Sequence, residues 1–180
     1  MKNLLSHRTK WLSCNLCTID CTMKSFYRTD NPNKLSCKFL FIGESPGVAE
    51  SVLGQPFVGP AGKELDRLLQ LVEIEDYGMT NIISCFPSEE DTARSKSRKP
   101  TKDEIENCRE RLDELVEIVT PSFYIALGNV AKSNPPTGVT YHLELDHPLT
   151  IIRQTPNRRK VIFNRNKNKL KSFLKEIYNG

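Results

Sequence analysis

Two carboxylates, one amide and four thiols carry the chemistry this sequence offers. Glu44 and Glu50 follow four consecutive apolar residues, Phe39 to Ile42, that stop at Gly43. Such a run reads as a strand covered on both faces of a parallel sheet, and function at such sheets sits beyond the strand's carboxyl end. A carboxylate there meets a ligand before it meets bulk water and can move a proton. Asn81 sits in a second apolar run, Met79 to Cys85. An amide in a buried strand needs hydrogen-bond partners, supplied either by backbone or by a ligand. Cys14 and Cys17 form a CxxC, Cys85 closes the second run, and Cys108 lies on the apolar face (Ile105, Leu112, Leu115, Val119) of a helix opened by the capping box Thr101-Lys-Asp-Glu104. Thiols from a turn, a strand end and a helix can converge. Four thiolates suit an iron-sulfur cluster or a structural zinc, and spacing does not separate the two.

The elements that must position these groups follow from pattern. At 180 residues the chain predicts a single domain, 1–180, long enough to bury a core. Strands are expected at Phe39 to Ile42, Met79 to Cys85, Pro121 to Gly128 and Val139 to Leu145, with helices over Gly62 to Val72, from Thr101, and from about Arg165. The predicted fold class is α/β, a three-layer α/β/α sandwich with a mainly parallel four-stranded sheet. The N-terminal Cys-containing segment completes the metal site. Met1 to His7 lacks a signal-peptide apolar run and no stretch approaches ~18 apolar residues, so a cytoplasmic protein away from membranes is expected. Six cysteines in a reducing compartment point to metal or buried thiols. The net charge of +4 is unevenly spread: His147 to Gly180 holds nine Lys or Arg against one acid, Glu176. A second basic cluster, Arg94, Lys96, Arg98, Lys99 and Lys102, lies mid-chain. Basic surface of this kind suits a phosphate backbone. Neither GxGxxG nor GxxxxGK[ST] is present at the first turn, which excludes the common dinucleotide and P-loop readings.

The stretch Gly43-Glu-Ser-Pro-Gly47, then Glu50, then Gly54-Gln-Pro-Phe-Val-Gly59 and Ala61-Gly62 resembles the first motif of the family-4 uracil-DNA glycosylases, GEAPG, ED, GRPFVG and AG. Thr80-Asn-Ile-Ile-Ser-Cys85 is similar to that family's TNVVKC, Pro121 to Gly128 to its third strand, and His147-Pro148 with Arg153 to its HPSxxLLR. The resemblance runs from Cys14 to Arg153. Departures are Ser84 and Phe86 for the usual Lys and Arg, Leu149 for a small residue, a long polar stretch from Ser88 to Pro100 expected as a mobile loop, and a short one from Asn134 to Asp146.

The resemblance implies monofunctional hydrolysis of uracil from DNA, leaving an abasic site, and a [4Fe-4S] cluster on Cys14, Cys17, Cys85 and Cys108, with structural zinc as the alternative. Cys21 stands close enough to replace Cys17 as a ligand. By the same resemblance Phe57 stacks on the extruded base and Asn81 reads its O4 and N3. Ser45 and Gly47 lie against the pyrimidine. His147 donates to O2, with His142 in Thr140-Tyr-His142 as its competitor, and Glu44 or Glu50 activates water. Leu149, Arg153, Arg98 and Lys99 are the expected DNA contacts. No histidine lies between Cys85 and Cys108, so covalent trapping is not expected. The expected partner is uracil-containing DNA and the expected state a monomer. Two rivals stand beside this reading. One is a catalytically inactive member that binds DNA or protein, motivated by Leu149 and the short Asn134 to Asp146 segment. The other is a zinc-bearing nucleotide hydrolase.

Overall fold

The computed structural model describes residues 3–17, 19, 24–89 and 97–179. Alternation along the first strand decides the layering. In β2 (Phe39–Gly43), Phe39 and Phe41 point to one face and Leu40 and Ile42 to the other, and all four are essentially inaccessible. Under the first face lie α3 (Pro60–Leu71), α7 (Pro148–Ile152) and α8 (Pro156–Asn179), packed through Leu65, Leu68, Leu69, Ile151, Phe163, Leu170 and Phe173. Under the second lie α4 (Lys102–Asn107), α5 (Arg109–Val119) and α6 (Gly128–Ser133), through Leu112, Leu115, Val119 and Ala131. Each fully buried aliphatic or aromatic side chain here contributes about 1.5–3 kcal/mol over exposure. The three-layer α/β/α architecture is therefore present.

The sheet has five strands where four were expected, in the order β1-β3-β2-β4-β5. The additional one, β1 (Arg28–Thr29), pairs antiparallel with β3 (Tyr77–Asn81); β4 (Phe123–Leu127) and β5 (Leu143–Leu145) continue the parallel arrangement from β2. A two-residue edge strand carries no periodicity for a sequence to display, and its shortness blunts the open edge. Other expected bounds shift for physical reasons. The second strand stops at Asn81 because the carbonyls of Asn81 and Ile82 turn to the guanidinium of Arg111. The helix from Thr101 breaks into α4 and α5 at Cys108. The last helix begins at Pro156, nine residues before Arg165, with proline in its first turn. No described helix is long and apolar enough to cross a membrane.

Helix α1 (Leu4–Leu12) docks on α5 through side chains. His7 Nε2 lies 2.8 Å from the Arg111 carbonyl, Trp11 Nε1 donates to Glu114 Oε2 at 2.7 Å, and Lys10 pairs with Glu110 and Glu114. Burial holds the His7 imidazole below its ordinary pKa, so the neutral ring sits under the sheet beside Phe26.

Helix α3 starts at a contact only glycine permits. A Cβ on Gly62 would lie 1.8 Å from the carbonyl oxygen of Phe57. Gly62→Ala should therefore destabilise the fold by about 3 kcal/mol or more, as overpacking does. At roughly 2–4 °C per kcal/mol for a chain of this size, thermal unfolding should register the loss plainly; an unchanged midpoint would mean that the loop shifts at no cost.

Candidate functional site

The carboxyl ends of four parallel strands come together at Gly43, Asn81, Gly128 and, two residues past β5, His147. Their mutual contact is close. A Cβ on Gly43 would lie 2.5 Å from Asn81 Oδ1 and 2.6 Å from Phe57 Cζ, and one on Gly128 would lie 2.9 Å from His147 Cβ. The Phe57 and His147 rings have centroids 6.3 Å apart, tilted by 33°. Phe57, Asn81 and His147 are therefore gathered at the same end of the sheet.

Phe57 is more deeply buried than a loop aromatic between Pro and Gly suggests. It is 4% exposed and its backbone is left-handed, φ 56°, which turns its ring back under the end of β2. It forms the floor of the site at the edge of the core. Asn81 is buried as well, and its Oδ1 has no hydrogen-bond partner. The strand pleat points this amide to the Phe57 side, while neighbouring Thr80 points to the opposite face.

His147 is the N-cap of α7, its Nδ1 accepting from the Leu149 N–H at 3.1 Å. That bond leaves the ring proton on Nε2. Burial, with Arg153 beside it, pushes the imidazole down to about 4, so the ring is a neutral donor near pH 7. His142 is at the wrong end. It precedes β5, stacks on Tyr124 with an interplanar angle of 13°, and accepts from the Tyr124 N–H.

The two glutamates separate by environment. Glu50, in α2 (Val48–Leu53), accepts from the Gly59 N–H at 2.8 Å and the Gly47 N–H at 3.2 Å, pinning both ends of the loop that carries Phe57. Glu44 has no such engagement; burial raises its carboxyl above the usual range, against a lowering from Lys99. Ser45 is half-buried between Glu44 and Pro46.

Among the expected DNA contacts, Lys99 and Arg153 are exposed and lie near Glu44 and His147 respectively, and half-buried Leu149 sits on α7. Arg98 also has a structural partner. Its guanidinium pairs with both oxygens of Glu104 and donates to the Ser88 and Lys99 carbonyls, so it braces the start of α4. The basic helix α8 runs away from the site, since Tyr178 near its end accepts from Lys38 ahead of β2. Two of its arginines are spent on ion pairs, Arg159 with Glu64 and Arg165 with Asp146.

On the other face of the sheet, Cys14, Cys17, Cys85 and Cys108 line one pocket, together with Trp11, Ser84 and Arg111. Cys14, Cys17 and Cys108 are free thiols. Cys85 is disulfide-bonded, so its use as a ligand requires the reduced thiolate. Cys21 lies outside the described residues. Among the described residues no three His, Cys, Asp or Glu side chains gather closely enough for a single metal ion. Two side chains not singled out from sequence fasten the CxxC turn: Lys24 donates to the Leu12 carbonyl at 2.9 Å and Asn107 to the Leu16 carbonyl at 2.8 Å. Arg111 is a third omission, and here a signal existed, since it interrupts the apolar stripe of α5 three residues after Cys108.

Comparison with known proteins shows the family. The uracil DNA glycosylase superfamily matches residues 30–177. A type-4 uracil-DNA glycosylase of Archaeoglobus fulgidus is 32% identical over 122 residues, covering 67% of this chain and 57% of its own length. One from Saccharolobus solfataricus is 35% identical over 118 residues, covering 63% and 51%. One from Thermotoga maritima is 31% identical over 161 residues, covering 79% and 80%. The chain thus spans little more than half the length of the first two relatives. With a match across most of its residues and a site at the carboxyl ends of its strands, the chain belongs to the uracil DNA glycosylase superfamily, among its type-4 members.

Proposed function

We propose that this chain removes uracil from DNA by hydrolysing the N-glycosidic bond of deoxyuridine, leaving an abasic site. The observation that carries the proposal is the buried, unpartnered Oδ1 of Asn81 beside the ring of Phe57. A buried acceptor without a donor costs about 1–3 kcal/mol, and uracil supplies the missing donor through N3–H. Cytosine presents a lone pair at N3, so it would leave the acceptor unsatisfied and be rejected.

The remaining groups then take consistent roles. An extruded base rests on Phe57. His147 donates Nε2–H to O2 of the leaving pyrimidine, where negative charge grows, and its depressed pKa makes this a hydrogen bond from a neutral ring. Glu44, free of structural duty, positions the attacking water and balances positive charge on the sugar. Gly47 and Ser45 line the approach, and Lys99, Arg153 and Leu149 meet the DNA. Glu50 holds the loop.

The four cysteines fit a cluster-bearing cradle because they reach one pocket from three separate elements. Cys14, Cys17, Cys108 and reduced Cys85 would hold a [4Fe-4S] group, which supplies rigid cross-linking of the N-terminal segment to the sheet. A cytoplasmic, monomeric protein belongs to the same reading, since its ligand set needs reduced thiols. Anaerobically purified protein should show thiolate-to-iron absorption with matching iron and sulfide; a colourless protein carrying zinc would replace the cluster.

The direct test is incubation of the protein with single- and double-stranded oligonucleotides containing one uracil, followed by alkali. Strand breaks at the uracil are expected, and their absence at stoichiometric protein would eliminate the activity. His147→Ala should lower kcat by about 10²–10³, and an unchanged rate would remove the anion-stabilising role. The pH dependence of kcat should show an acid limb above the ordinary glutamate range, from Glu44, with no inflection near pH ~6.5 because His147 is already neutral there. Glu44→Gln should abolish that limb and cost about 10²–10⁴ in rate. Glu50→Gln should instead lower stability, by about 1–3 kcal/mol; a rate loss without a stability loss would exchange the two roles.

A further inference from the structure

Arg111 is fully buried, the largest such side chain in the protein. Its Nη2 donates to the carbonyls of Asn81 at 2.6 Å and Ile82 at 2.8 Å, and its Nη1 to Thr80 Oγ1 at 3.2 Å. Its Nε has no partner. All three oxygen acceptors are uncharged, and a buried cation without a counter-charge is very costly. Burial pulls its pKa below the ordinary arginine range, and a hydrogen bond with Cys108 works against that. Asp113 Oδ1 accepts from the Thr137 backbone N–H, whereas Arg111 itself lines the pocket of the four cysteines.

We propose that Arg111 is the counter-cation of the thiolate cradle and, through its other edge, the positioning residue for Asn81. The inference rests on the cluster reading above. Four thiolates on an iron-sulfur cube leave the assembly net negative, and in a low-dielectric interior an adjacent guanidinium offsets that charge strongly. The same planar group grips the two carbonyls that end β3. Fixing the Asn81 peptide on this side of the sheet aims the Asn81 amide on the other. The cradle and the base-reading group, on opposite faces, are thereby joined by one side chain. Lysine has the charge for the first task but lacks the planar fork that takes the adjacent carbonyls together.

Two variants of the full chain separate the two tasks. Arg111→Met keeps the bulk and removes the charge. It should retain about 10- to 100-fold less iron under chelator challenge, in the range for groups that support metal ligands, and the surviving cluster should have a more negative reduction potential. Arg111→Lys should keep iron and potential near wild type, yet lose about 10-fold or more in kcat/KM on uracil-containing oligonucleotide. Wild-type iron retention and potential in Arg111→Met would overturn the counter-cation role, and wild-type kcat/KM in Arg111→Lys would overturn the positioning role. Should Arg111→Met not fold, Arg111→Lys decides: retained iron with impaired kcat/KM supports the proposal, and lost iron defeats it. Wild-type protein purified without iron would refute the cluster reading itself, an outcome distinct from either variant result.

Discussion

One carboxylate holds the pocket side of this molecule in shape. Glu50, on the short helix α2, joins the amides of Gly47 and Gly59 across the segment between β2 and α3, so one side chain ties its two ends together. That closure lets Phe57 sit in a left-handed conformation costing roughly 1–3 kcal/mol, its carbonyl pressed against Gly62. The position of Phe57 is then set by loop geometry, independently of any ligand. A preformed floor spares the substrate the cost of ordering it.

The sheet divides the labour. Successive residues of β3 face opposite ways, so Asn81 serves the pocket while Thr80 meets Arg111 below. The thiol cradle is assembled from the N-terminal segment, the stretch after β3 and the α4–α5 break, all on the α5 side. Helix α1 reaches that side through the bonds of His7, Lys10 and Trp11. The histidine and the phenylalanine gather on the α3 and α7 side. A reaction centre and a metal-type centre can thus lie a few residues apart in sequence without sharing space.

Much of this was legible in the residues. The apolar run ending at Gly43, the leucine stripe of α3 and the capping box at Thr101 each gave an element at nearly its true place, because local pattern and burial agree there. The choice of His147 over His142 rests on a following proline and a downstream arginine; the structure puts His147 beside Phe57 and His142 at the far end of β5. What stayed hidden depends on long-range pairing. Nothing local tells that Glu50 will find Gly59, that Arg98 will be consumed by Glu104, or that a two-residue strand will pair with β3. The basic tail shows the same gap: composition counts charges but not the carboxylates opposite them, such as Glu64 and Asp146, which pair with Arg159 and Arg165.

The bare backbone at Gly43 sets a limit on how this pocket can change. Even one methyl group there would collide with both the amide of Asn81 and the aromatic edge of Phe57. Asn81 and Phe57 can both press against this backbone because one residue contributes no side chain. Under the proposed reading, any change in the bases admitted must be made from the loop or the histidine side, since a side chain at this strand position is barred.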